Sequence, residues 1–149
     1  MSESSTVSLD EDYKKVEIWL SKRGWHVFTY TDAYDATFWL LKEIHINSRN
    51  HAKRRLYTLL HECGHVLVDD NRDRIHRLSR ECHHLAGSRI RSKRKRIALV
   101  SEEYEAWKRG ERLARRLKIR IDTDKFDTFR AESLMSYVNC ASDFFLHAK

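Results

Sequence analysis

Apolar and polar positions along the chain change period several times, and each change marks a different element. From Ser8 onward, Tyr13, Val16 and Leu20 keep a helical period. Ser8 and Glu11 read as a capping box at its start, and Lys22, Arg23 and Gly24 close it with cations and a flexible residue. Residues 25–30, 37–41 and 43–47 are rich in aromatic and β-branched side chains and predict three strands joined by short polar turns, a small antiparallel sheet. Residues 50–68 predict a second helix, apolar nearly all round where Leu56-Tyr57-Thr58-Leu59-Leu60 and Val66-Leu67-Val68 flank its centre, the mark of a buried helix. Residues 95–117 predict a third helix. A fourth, capped by Asp122 or Asp124, carries Phe126, Phe129, Leu134, Tyr137, Val138, Ala141 and Phe145 at helical spacing, most simply as core. The fold class expected is α+β, a sheet of about three strands packed on the second helix with three further helices. Residues 1–8 are expected to be disordered and 9–149 to form a single domain.

Inside the second helix stands His61-Glu62-Cys63-Gly64-His65. Histidines four apart lie about 40° apart around a helix and about 6 Å apart along it, so both imidazoles can reach one metal ion. Glu62 stands beside the pair, where a carboxylate can take a proton from a metal-bound water. With nine His and eleven Glu, HExxH would arise by chance in roughly 4% of such chains. The apolar flanks, Leu59-Leu60 before and Val66-Leu67-Val68 after, argue against chance: buried His and Glu each cost several kcal/mol unless paired or metal-bound.

A catalytic zinc usually has three protein ligands and one open position. The extended HExxHxxGxxH form is excluded, because Val68 and Asn71 stand where Gly and His are needed. Asp69 reads as a helix-end residue. Residues 101–110 offer three glutamates. Counting from Glu103, Ala106, Trp107, Gly110 and Ala114 share its face, so Glu103 points inward and is the favoured third ligand. Glu105 sits with Lys108 and Arg109 on the solvent side, and Glu102 falls between the faces as the next candidate. His83 and His84 are the alternative ligands of a different scheme. His76, His83, His84 and Tyr137 are candidate donors to an oxyanion.

HExxH preceded by Leu59-Leu60, together with Glu103-Tyr104-Glu105-Ala106 on a later helix, resembles the gluzincins. More narrowly it is similar to the small ImmA/IrrE-type metallopeptidases, many of them encoded by phages and mobile elements. The resemblance spans about residues 43–117. It implies a zinc metallopeptidase with one catalytic Zn2+ held by His61, His65 and Glu103, with Glu62 as general base and a protein or peptide substrate. It also implies zinc lying between the second and third helices and a sheet-edge strand that pairs with extended substrate, here placed at residues 43–47. Two other readings remain. One is an SprT-like DNA-associated protease with a third histidine ligand. The other is a non-catalytic zinc-containing regulator, against which the presence of Glu62 argues.

Net charge is +7, which favours acidic partners. It is concentrated between Arg72 and Arg96, where ten Lys or Arg face only Asp73 and Glu81. Arg91, Lys93, Arg94, Lys95 and Arg96 form a candidate surface for nucleic acid or an acidic protein, against the simpler reading of a solvated face. Cys63, Cys82 and Cys140 contain no CxxC pair and read as reduced thiols, Cys63 as a packing residue. No apolar run approaches a membrane span, and the polar start does not resemble a secretory signal, so a cytoplasmic protein is expected, in the host cytoplasm if phage-encoded.

Overall fold

The computed structural model describes residues 3–70 and 92–142, with side chains over 8–70 and 92–139. Its elements run α1 (Glu3–Ser21), β1 (His26–Tyr30), β2 (Ala36–Phe38), β3 (Glu43–Asn47), α2 (Ala52–Asp70), α3 (Lys93–Arg116) and α4 (Thr123–Ser142). A three-stranded sheet lies on α2, and α2 in turn packs most extensively on α3. One core joins these layers, with Val16 and Leu20 from α1, Ile44 and Ile46 from β3, Leu56, Leu59, Leu60 and Cys63 from α2, Leu113 from α3 and Phe126 from α4.

Helix α1 starts at Glu3, five residues before the expected cap, so Ser8 and Glu11 lie inside it and residues 3–8 are helical. No Gly or Pro stands among the first eight residues to stop the helix, and Ser and Thr weaken it only by tenths of a kcal/mol each, roughly. Its close matches expectation: Gly24 takes φ +74°, and the Trp25 N–H turns back to the Leu20 carbonyl at 3.1 Å.

The sheet is mixed, not antiparallel throughout. Its strand order is β1-β3-β2, with β2 antiparallel and β1 parallel to β3. The β2–β3 connection is a local hairpin, whereas the chain leaving β1 passes the position that β3 later fills, which no local pattern encodes. β3 is therefore the central strand, not the edge expected at residues 43–47; the edges are β1 and β2. β2 also ends at Phe38, short of the expected residue 41. Lys42 adopts φ 53° in the tight turn that follows, and Leu40 at its tip is fully exposed. Within β3, Ile44 and Ile46 face α2 while Glu43, His45 and Asn47 face away, the period of two that a sheet with one covered face requires.

Helix α3 is capped by Ser92, whose hydroxyl accepts the Lys95 N–H at 3.3 Å. Asp122 caps α4 in the same way through the Lys125 N–H at 3.2 Å, and the Tyr57 hydroxyl accepts the Asp122 N–H at 3.1 Å, tying this corner to α2. Phe126 is buried edge-on against Tyr57 and Trp107, while Val138 and Met135 further along α4 are exposed. Among the described residues no helix is long and apolar enough to cross a membrane.

Candidate metal centre

The site is built on the seam between α2 and α3, and glycine makes the seam possible. A Cβ placed on Gly64 would collide with the Ala106 carbonyl of α3, and one on Gly110 would collide with the Leu60 carbonyl of α2. The two backbones touch, so side chains directed into the seam from both helices meet over short distances. Gly64 lies within the HExxH segment itself and Gly110 lies seven residues beyond Glu103, so the crossing is centred on the site.

There the structure brings together His61, His65 and Glu103. All three are buried, and one donor atom from each lies within 4.8 Å of the others. His61 Nε2 is 3.2 Å from Glu103 Oε2, His65 Nε2 is 3.5 Å from Glu103 Oε1, and the two Nε2 atoms are 3.2 Å apart. Among the described residues neither Glu103 oxygen has a hydrogen bond of strict geometry, although both face imidazole nitrogens and the Tyr137 hydroxyl lies against the same carboxylate. Burial pushes Glu103 up, yet the charge of His65 and the adjacent His61 hold it well below the usual carboxylate range. Burial would likewise depress His65, but the Glu103 charge, contact with Glu102 and Glu103, and the Glu62 charge raise it well above ordinary histidine. Two imidazoles and a carboxylate converging in a buried seam are a donor set that could bind a metal ion. A divalent cation would satisfy the Glu103 oxygens and the excess of carboxylates together.

Glu62 is buried beside this trio and is not one of its members. Its Oε2 accepts a hydrogen bond of 2.7 Å from the Thr37 hydroxyl of β2. Thr37 carries no signal in the sequence; a lone threonine in a short strand is ordinary, and its position depends on the strand order. Glu102, though between the helix faces, is nearly as buried as Glu103, and its Oε1 stands 3.4 Å from His65 Nδ1, on the side away from the trio. His61 is held differently, with the Trp107 ring stacked on it at 4.4 Å and 23°. Tyr137 of α4 also faces the site. Burial and the charges of Glu103, Glu62 and Glu102 raise its hydroxyl far above the ordinary range, so it stays protonated.

His76, His83, His84 and Arg91 fall outside the described residues. Arg96 is buried, unlike exposed Lys93 and Arg94, and so does not belong to an exposed partner surface. Asp69 is outside the trio, and Glu105 pairs with Lys108 and Arg109 on the outer side of α3, as its spacing predicts. Cys63 is a free, fully buried thiol that burial, then Glu62, pushes up, consistent with packing.

No curated protein and no solved structure matches the chain significantly. A family model does: the IrrE N-terminal-like domain, Peptidase M78, matches residues 22–106, from the end of α1 through HExxH to just beyond Glu103. With more than half of its length inside that match, the chain belongs to the Peptidase M78 family of ImmA/IrrE-type metallopeptidases.

Proposed function

We propose that this protein is a zinc-dependent peptidase that hydrolyses peptide bonds in a protein substrate, with His61, His65 and Glu103 as metal ligands and Glu62 as general base. The observation that carries the reading is the buried His61–His65–Glu103 convergence with a separate carboxyl group, Glu62, beside it. A structural site would be closed by four protein ligands and would have no use for a separate base.

Zinc bound there would lower the pKa of its water toward about 7 and polarise the scissile carbonyl. The chain's own groups do the rest. Thr37 holds one Glu62 oxygen at 2.7 Å, leaving the other to accept a proton from the attacking water. Glu62 then delivers that proton to the departing amine, serving first as base and then as acid. Tyr137, protonated and facing the same carboxylates, is suited to donate a hydrogen bond to the oxyanion. Strand β2 is an edge strand among the described residues and touches the site through Thr37. An extended substrate would add to that edge by backbone pairing, which binds without demanding one sequence. Exposed Lys93 and Arg94 at the start of α3 would favour an acidic or nucleic-acid-associated substrate protein.

The test pairs elemental analysis with cleavage. Wild-type protein purified without added metal should carry zinc, and Glu62→Gln should keep that zinc while losing cleavage of a partner or test protein. Equal cleavage by wild type and Glu62→Gln would end the peptidase reading.

A further inference from the structure

Two adjacent glutamates are buried at the site, and only one of them belongs to the ligand trio. Consecutive residues on a helix point about 100° apart, so Glu102 and Glu103 approach His65 from different sides. Glu103 faces the Nε2 atoms of both histidines. Glu102 reaches around His65 to its other nitrogen, with Oε1 3.4 Å from Nδ1 and the side chain only 2% exposed.

We propose that Glu102 is the positioning residue of His65. Its carboxylate accepts the Nδ1–H of the imidazole, fixes that tautomer and so presents an unprotonated Nε2 to the metal. This rests on the metal-centre reading above and adds a role for a carboxylate that the reading leaves unused. An imidazole can offer one nitrogen to a metal only if the other carries the proton, and an acceptor on that other nitrogen selects the tautomer, orients the ring and makes the ligand more basic.

The two histidines are thus oriented by different physics. His65 is set by a charge on its outer nitrogen. His61 has no hydrogen-bond partner at Nδ1 among the described residues and is set instead by the stacked Trp107 ring. A helix-capping or surface role for Glu102 is excluded by its place in the middle of α3 and by its burial. Glu105, three residues on, does what a structural glutamate does, pairing with Lys108 and Arg109 at the solvent side.

The inference is tested by the zinc dissociation constant of the full chain, measured in competition with a chromophoric chelator, for wild type, Glu102→Gln and Glu105→Gln. Glu102→Gln keeps the shape and removes the charge; it should weaken zinc binding about tenfold or more, while Glu105→Gln leaves it unchanged. In zinc-loaded wild type, the His65 Nδ1 proton should appear in NMR spectra as a downfield, slowly exchanging resonance, and it should move upfield in Glu102→Gln. Zinc affinity of Glu102→Gln within about twofold of wild type would overturn the proposal. If that variant does not fold, a wild-type His65 Nδ1 proton in fast exchange with water overturns it equally. Wild type that takes up no zinc would overturn the metal centre itself, and this inference with it.

Discussion

The α2–α3 seam and the β2 edge meet at Glu62, and they are built in opposite ways. Along the seam, backbone touches backbone at Gly64 and Gly110, and every side chain of the metal trio is buried. Strand β2 is three residues long, half-buried to exposed, and contributes one side chain to the site, the Thr37 hydroxyl. The seam has no room to move, which suits a group of ligands that must hold a fixed geometry. Among the described residues the outer side of β2 has no strand paired to it, an arrangement that suits a substrate that must enter and leave. Glu62 stands where the rigid part hands over to the open part. Its carboxyl group comes from the seam helix and its orientation from the edge strand.

This contrast makes predictions that separate the two halves. The largest effect belongs to the seam. Glu103→Gln removes a ligand and should lower zinc affinity by more than the roughly 100-fold ceiling of an outer-sphere change, read as loss of zinc on dialysis. At the junction, Glu62→Gln should reduce kcat by about 10²- to 10⁴-fold with zinc content unchanged, read by cleavage assay beside elemental analysis. Gly64→Ala probes the seam without touching a ligand. Its methyl group meets the Ala106 carbonyl, and the forced separation of α2 and α3 should destabilise the fold by about 1–3 kcal/mol, seen as a lower thermal midpoint. At the edge, Thr37→Val removes one hydrogen bond to Glu62. Cleavage should fall about tenfold, the kinetic equivalent of about 1.4 kcal/mol, with zinc retained and the midpoint little changed. If Thr37→Val stripped the zinc, or Gly64→Ala left the midpoint unaltered, the division between a rigid seam and an open edge would be wrong.

Much of the seam is legible in the sequence, because it is encoded by helical periodicity. The spacing of His61 and His65, and the run Glu103, Ala106, Trp107, Gly110, Ala114, each place residues on one face, and the structure joins those two faces. Gly110 reads as a point of close approach, whereas the equal role of Gly64 is hidden inside the motif. Glu102 is harder to read. Its angle on the helix is intermediate, and only the position of His65 Nδ1 shows which way it faces. The edge is not legible. The pattern of residues 25–47 yields three strands but not their order, since β1 pairs with β3 across an intervening strand in the chain. That order decides that β2 and not β3 is the free edge, and it is what brings Thr37 to Glu62. Periodicity reports which side of an element is buried; it does not report which neighbour buries it.

The central claim is that the seam holds a catalytic zinc, and the most direct measurement is the metal content of protein purified without added metal, by elemental mass spectrometry. The account predicts about one zinc per chain in wild type, retained in Glu62→Gln and lost in Glu103→Gln. Folded wild-type protein with near-zero zinc that also takes up none when zinc is added would contradict it.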